Sequence, residues 1–144
     1  MTRDPHAASR FCVLATLVAL PVAWAAAGAG YGLAVRHPIS DLAAIALWST
    51  AEELVFRGAL QPAIGRVVGG RGRHGITPAN ALTSALFALF HLWRHPPIVA
   101  LLVFPVSLVF GKVRELSGRV WPAALLHFLF NALLYAASAL RAGG

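Results

Sequence analysis

Charge is what this sequence has least of. Asp, Glu, Lys and Arg make up 12% of its 144 residues, against about 25% in an ordinary soluble domain. So little polar surface cannot clothe a compact soluble particle. The apolar share of 58% excludes disorder too, because disordered chains are poor in hydrophobic residues and rich in charge. There are five acidic residues and one cysteine, and a lone Cys12 excludes an internal disulfide and any cysteine-rich metal site. No H-E-x-x-H pair sets two imidazoles on one helix face, and no G-x-S-x-G surrounds the hydroxyls of Ser84 or Ser107. Internal repeats and linkers are also missing, so the chain reads as one domain, 1–144.

What is present is a series of apolar stretches. They run Phe11–Val35, Leu42–Gly65, Pro78–Trp93, Ile98–Gly111 and Val120–Leu140. The first is free of Asp, Glu, Lys and Arg and long enough to span a bilayer. The breaks are short and rich in Gly, Pro or Arg, Gly69-Gly70-Arg71-Gly72-Arg73 being the clearest loop. Trp93 and Trp121 stand at segment ends, where interfacial tryptophans gather. The net charge of +7 sits in these breaks rather than on a basic face. It therefore reads as membrane-flanking charge and not as a nucleic-acid surface. The expected fold is all-α, a polytopic transmembrane helical bundle of about five spans.

Lys and Arg give the orientation. With five spans, one side holds Arg3, Arg10, Arg66, Arg71, Arg73, Lys112, Arg114 and Arg119, and the other only Arg36, Arg94 and Arg141. Positive residues stay inside, so the amino terminus is expected in the cytoplasm. The first stretch has a competing reading as a signal peptide, with Ala23-Trp24-Ala25 as a cleavage site; Asp4 and the apolar run past Ala27 favour a retained helix. Gly28 and Gly32 make a G-x-x-x-G spacing, which chance explains in so small-residue-rich a run.

Charged side chains in a bilayer cost about 2.5–3.5 kcal/mol each on insertion scales and need a reason. The second stretch holds Glu52, Glu53 and Arg57. Glu53 and Arg57 are four apart and can pair on one helix face. Glu52 points about 100° away and needs partners on other helices. The third stretch offers His91, with Phe87 one turn earlier, and the fifth offers His127 and Asn131, again one turn apart. At a rise of about 1.5 Å per residue, Glu52 lies roughly 21 Å from Arg66, His91 about 20 Å from Pro78, and His127 and Asn131 about 12 and 18 Å from Arg119. These depths overlap.

A carboxylate and an imidazole can hold a water and take its proton. A second imidazole and an amide can donate hydrogen bonds to an oxyanion. Such a set suits peptide hydrolysis without a covalent intermediate. Each residue also has a bland reading: the Glu–Arg pair as a folding clamp, His91 as an interfacial side chain, Asn131 as an interhelical hydrogen bond.

Glu52-Glu53-Leu54-Val55-Phe56-Arg57 resembles the E-E-x-x-x-R motif of the CPBP or Abi family of CAAX prenyl proteases and bacteriocin-processing enzymes. Phe87-Ala88-Leu89-Phe90-His91 resembles its F-x-x-x-H motif, and Leu116–Pro122 with His127-Phe128-Leu129-Phe130-Asn131 its block ending in H-x-x-x-N. The three stand in the family's order within a motif-bearing core, 41–140. The resemblance implies a glutamate-type intramembrane endopeptidase with no metal or other cofactor. Glu52 and His91 would activate water, His127 and Asn131 would form the oxyanion site, and Glu53 and Arg57 would support Glu52. It further implies a membrane-associated protein or peptide substrate: a carboxyl-terminal sorting signal, a prenylated tail or a bacteriocin precursor. The expected location is a bacterial inner membrane. Larger members carry more helices, which leaves room for a partner subunit or homo-oligomer to complete the substrate groove.

Three other readings compete. Glu52, His91 and His127 could ligate zinc in a metalloprotease. The chain could be a non-catalytic immunity or assembly factor. A proton or ion carrier is the last, and five spans without a repeat argue against it.

Overall fold

The computed structural model describes Arg10, Ala15 and residues 38–69 and 75–142. Apart from Ala15, the Phe11–Val35 span, its signal-peptide reading and its Gly28–Gly32 spacing lie outside the described residues. So does most of the Gly69–Arg73 loop.

The regular elements among the described residues are all helical. Helix α1 (Pro38–Glu53) continues through a π-helical segment (Leu54–Leu60) into α2 (Gln61–Val68), forming one rod. Three more rods follow: α3 (Pro78–His91), α4 (Pro97–Ser117) and α5 (Trp121–Ala142). Among the described residues two segments, Pro97–Ser117 and Trp121–Arg141, are helical, long and apolar enough to cross a membrane. The described residues thus form four rods; the first of the five apolar stretches is the one they leave out.

Local chemistry sets the helix ends. Asp41 lies in the first turn of α1, where a carboxylate complements the helix dipole. Thr77 caps α3 by accepting the Asn80 N–H at 3.1 Å, with Pro78 at the first helical position. At the end of α4, Gly118 adopts φ +71° and its N–H returns to the Arg114 carbonyl at 3.0 Å. A left-handed residue is what such a stop requires.

The π-helical segment has its cause in Pro62. A proline has no N–H to donate and its ring crowds the carbonyl four residues back. Here the Gln61 N–H reaches back five residues to the Phe56 carbonyl. That leaves the Arg57 carbonyl short of a helical donor, and Arg114 Nε supplies one from α4 at 3.2 Å.

Helix α4 runs six residues beyond the expected end at Gly111. The sequence reading stops there because Lys112, Arg114 and Glu115 follow. Each of these charges has a partner: Lys112 Nζ donates to the Gly75 carbonyl at 2.6 Å, and Arg114 holds the Arg57 carbonyl. Glu115 accepts from Gln61 Nε2 at 3.2 Å and from the Thr77 hydroxyl.

Short turns at 92–96 and 118–120 fold the rods back on one another. α3 packs on α4, α4 on α5, α1 on α5 and α2 on α3. An apolar cluster of Phe110, Val113, Ala123 and Leu126 joins α4 to α5, with Ala15 packed against it. Polar groups are buried elsewhere while large apolar ones face outward. Asn80, Thr83 and Ser84 are fully buried, whereas Trp48 is 61% and Leu101 70% exposed. This inverted surface suits lipid. Between helices in a bilayer no hydrophobic drive exists, so close packing and polar contacts hold them together. The α3–α4 seam is built this way. Asn80 donates to the Leu108 carbonyl at 3.0 Å and accepts from Ser84 at 3.1 Å. A Cβ at position 111 would overlap the Asn80 side chain, so only glycine permits the approach.

Candidate active site

The end of α1 presents two carboxylates to different surroundings. Adjacent helical residues diverge by about 100°, and Glu53 turns inward while Glu52 stays at the edge. The Glu53 and Arg57 side chains are wholly buried, and Glu52 keeps 24% of its side chain exposed. Glu53 Oε1 lies 3.2 Å from Arg57 Nη1, so the expected i,i+4 pair forms.

His127 stands between the carboxylates. Its Nδ1 is 3.0 Å from Glu53 Oε1 and its Nε2 3.8 Å from Glu52 Oε2. Glu53 is ion-paired to Arg57 and so acts as an acceptor, which makes His127 Nδ1 the donor. Nε2 is then the ring atom left facing Glu52. Phe110 stacks on this imidazole with centroids 4.8 Å apart and planes at 22°.

One turn along α5, Asn131 Nδ2 donates to Ser49 Oγ at 3.2 Å. A further turn on, Tyr135 Oη donates to Asp41 Oδ2 at 3.1 Å. Antiparallel α1 and α5 are therefore joined by a ladder of polar pairs, with the charged one at the end nearest the π-helical segment.

His91 closes the group from α3. Its Nδ1 donates to the Phe87 carbonyl at 2.8 Å, because a carbonyl can only accept. Phe87, the first residue of the F-x-x-x-H pattern, is the hub beneath these groups. Its ring is 4.6 Å from His91, 5.8 Å from His127 and 4.6 Å from the Arg57 guanidinium carbon. A guanidinium over an aromatic face gains attraction that grows as water is removed.

Glu52 and His127 thus meet at one end of the bundle, with Glu53 and Arg57 behind them and His91 joined to the group through the Phe87 ring. Asn131 stands one turn along α5 on the same side. Among the described residues no three His, Cys, Asp or Glu side chains have a spacing suited to a metal ion. Glu53 Oε2 and Arg57 Nε are buried without a hydrogen-bond partner among the described residues, a kind of frustration that folding alone does not favour.

A family model described as "Type II CAAX prenyl endopeptidase Rce1-like" matches residues 34–133. The chain belongs to this family. The Rce1-like match contains all three motifs, from Glu52 to Asn131, and most of α1–α5. It makes the chain a member of a family of membrane-embedded CAAX-type proteases, in keeping with the two apolar helices. Comparison with curated proteins and with solved structures gives no significant match.

Contacts of this Rce1-like site that were not anticipated include His127 on Glu53, Ser49 on Asn131, Phe110 on His127, and Ser107 on Arg57. Ser49 carried a readable signal, since it lies one turn before Glu53 on the same face. Phe110 and Ser107 carried none, because their partners are far away in sequence and on other helices.

Proposed function

We propose that this protein is a metal-independent, glutamate-type intramembrane endopeptidase. Its substrate is a peptide bond in a membrane-associated protein: a carboxyl-terminal sorting signal, a prenylated tail or a bacteriocin precursor. The observation that carries the reading is the position of His127, within 4 Å of both Glu52 and Glu53 in a buried, Arg57-balanced cluster.

The proposed reaction uses Glu52 as the base, being the more exposed carboxylate. Water held by Glu52 and His91 attacks the scissile carbonyl carbon as its proton passes to Glu52. The carbonyl π electrons move to oxygen, and His127 Nε2–H and the second N–H of Asn131 Nδ2 donate to that oxyanion. Glu53, accepting at Nδ1, balances the charge on His127 while it does so. Collapse of the intermediate breaks the C–N bond, and the proton on Glu52 goes to the leaving amine. The products are a carboxylic acid and an amine, and the acid then passes its remaining proton to water or to the amine.

The same reading sets the chain in a bacterial inner membrane with a cytoplasmic amino terminus, a second copy or partner subunit completing the substrate groove. A reporter fused after Gly144 is expected on the external face.

The test compares protein termini by mass spectrometry in native-host membranes containing the natural chain or Glu52→Gln at matched levels. A terminus generated only by the natural chain supports the proposal, and its survival in strong chelator supports metal independence. Equal termini in both membranes, with both proteins present and folded, would favour a binding or immunity role instead.

A further inference from the structure

Ser107 has no part in the proposed reaction, yet it is fully buried in the middle of α4 and turned toward the cluster. Its hydroxyl accepts from Arg57 Nη2 at 2.5 Å, and its carbonyl accepts from the same nitrogen at 2.9 Å. These are the only hydrogen bonds that the Arg57 side chain makes among the described residues apart from its ion pair with Glu53. Three aromatic rings surround the guanidinium carbon: Phe87 at 4.6 Å, Phe110 at 5.7 Å and Phe56 at 6.0 Å. Aromatic faces attract a cation but leave it free to turn in its own plane. Two acceptors on one residue remove that freedom.

The consequence passes inward. Arg57 Nη1 faces Glu53 Oε1, and that same oxygen receives His127 Nδ1. Phe110, three residues after Ser107 on α4, stacks on the His127 ring. One helix therefore holds the imidazole twice, at its face through Phe110 and at its edge through Arg57 and Glu53.

We infer that Ser107 is a positioning residue: by anchoring Arg57 it fixes Glu53 Oε1, and through that oxygen the Nδ1–H of His127, so that Nε2 faces Glu52. The kinetic consequence rests on the protease reading; the structural consequence does not.

The experiment uses the full chain, with histidine labelled by nitrogen-15, in lipid nanodiscs, and follows the His127 ring by NMR; His127→Gln assigns the signal. The natural chain is expected to show a slowly exchanging, hydrogen-bonded Nδ1–H. Ser107→Ala should lose that signal to solvent exchange, and Ser107→Thr, which keeps the hydroxyl, should restore it. If Ser107→Ala does not fold, Ser107→Cys keeps the volume with a poorer acceptor and should weaken the signal in the same sense. An unchanged Nδ1–H in whichever of these two variants folds overturns the inference. On a cleavable substrate, Ser107→Ala should lower kcat roughly tenfold with KM within about twofold, as a misplaced group does. Ser107→Thr should return kcat. A natural chain that cleaves nothing defeats the protease reading and leaves the NMR result to decide on Ser107.

Discussion

The two polar seams of this bundle are built from opposite materials. Between α3 and α4 the buried groups are neutral: Asn80 reaches Leu108 and Ser84, and Gly111 lets the helices touch. Between α1 and α5 the contacts end in charge, with Glu53, His127 and Glu52 in a row and Arg57 behind them. The neutral seam is short-range, which suits cohesion. The charged seam leaves Glu53 Oε2 and two Arg57 nitrogens without hydrogen-bond partners among the described residues, which suits a site meant to meet water and a substrate. Buried ions are retained at a cost in stability, so their concentration at one end of the bundle separates reactivity from cohesion.

Substitutions can break that division, and the largest effect belongs to the charged seam. Glu52→Gln should lower cleavage roughly 10²–10⁴-fold, the range for loss of a general base. Its unfolding in an SDS titration should match that of the natural chain. Arg57→Met comes next. It strands a buried carboxylate and should destabilise the bundle by about 3–5 kcal/mol. Adding Glu53→Gln should recover part of the loss, a sign that the pair and not the arginine alone was at stake.

The neutral seam should answer differently. Gly111→Val forces a side chain into Asn80 and should cost about 1–3 kcal/mol in the same titration. The folded fraction should cleave substrate at the natural rate. Asn80→Ala should be mildest, about 0.6 kcal/mol, the mean for interhelical hydrogen bonds in a membrane. Combined with Gly111→Val it should cost less than the sum, because the two changes share one contact. A loss of turnover in Asn80→Ala comparable to that in Glu52→Gln would erase the distinction between the seams.

Much of the second to fifth apolar stretches was legible because composition and breaks mark helices clearly. The pairing of Glu53 with Arg57 followed from a four-residue spacing, and Glu52 was separable from Glu53 by the helical angle alone. Other features needed three dimensions. The extension of α4 through Lys112, Arg114 and Glu115 depends on partners at Gly75, Arg57, Gln61 and Thr77, which no local pattern announces. His127 lying against both glutamates depends on the rotation of α5. Pro62 was visible in the sequence, but a proline permits several responses, and only the fold selects the π-helical one.

That π-helical turn also changes the azimuth of the rod that contains it. An inserted residue shifts the phase of every side chain after it, so the two halves need not look the same way. Before the turn, α1 addresses α5 through Asp41, Ser49 and Glu53. After it, Gln61 addresses α4 at Gly111 and Glu115, and α2 lies on α3. A single rod thereby splices the two seams together. Arg57 sits on the splice itself: its side chain pairs with Glu53 in one seam, and both that side chain and its carbonyl are tied to α4, the helix of the other, at Ser107 and Arg114.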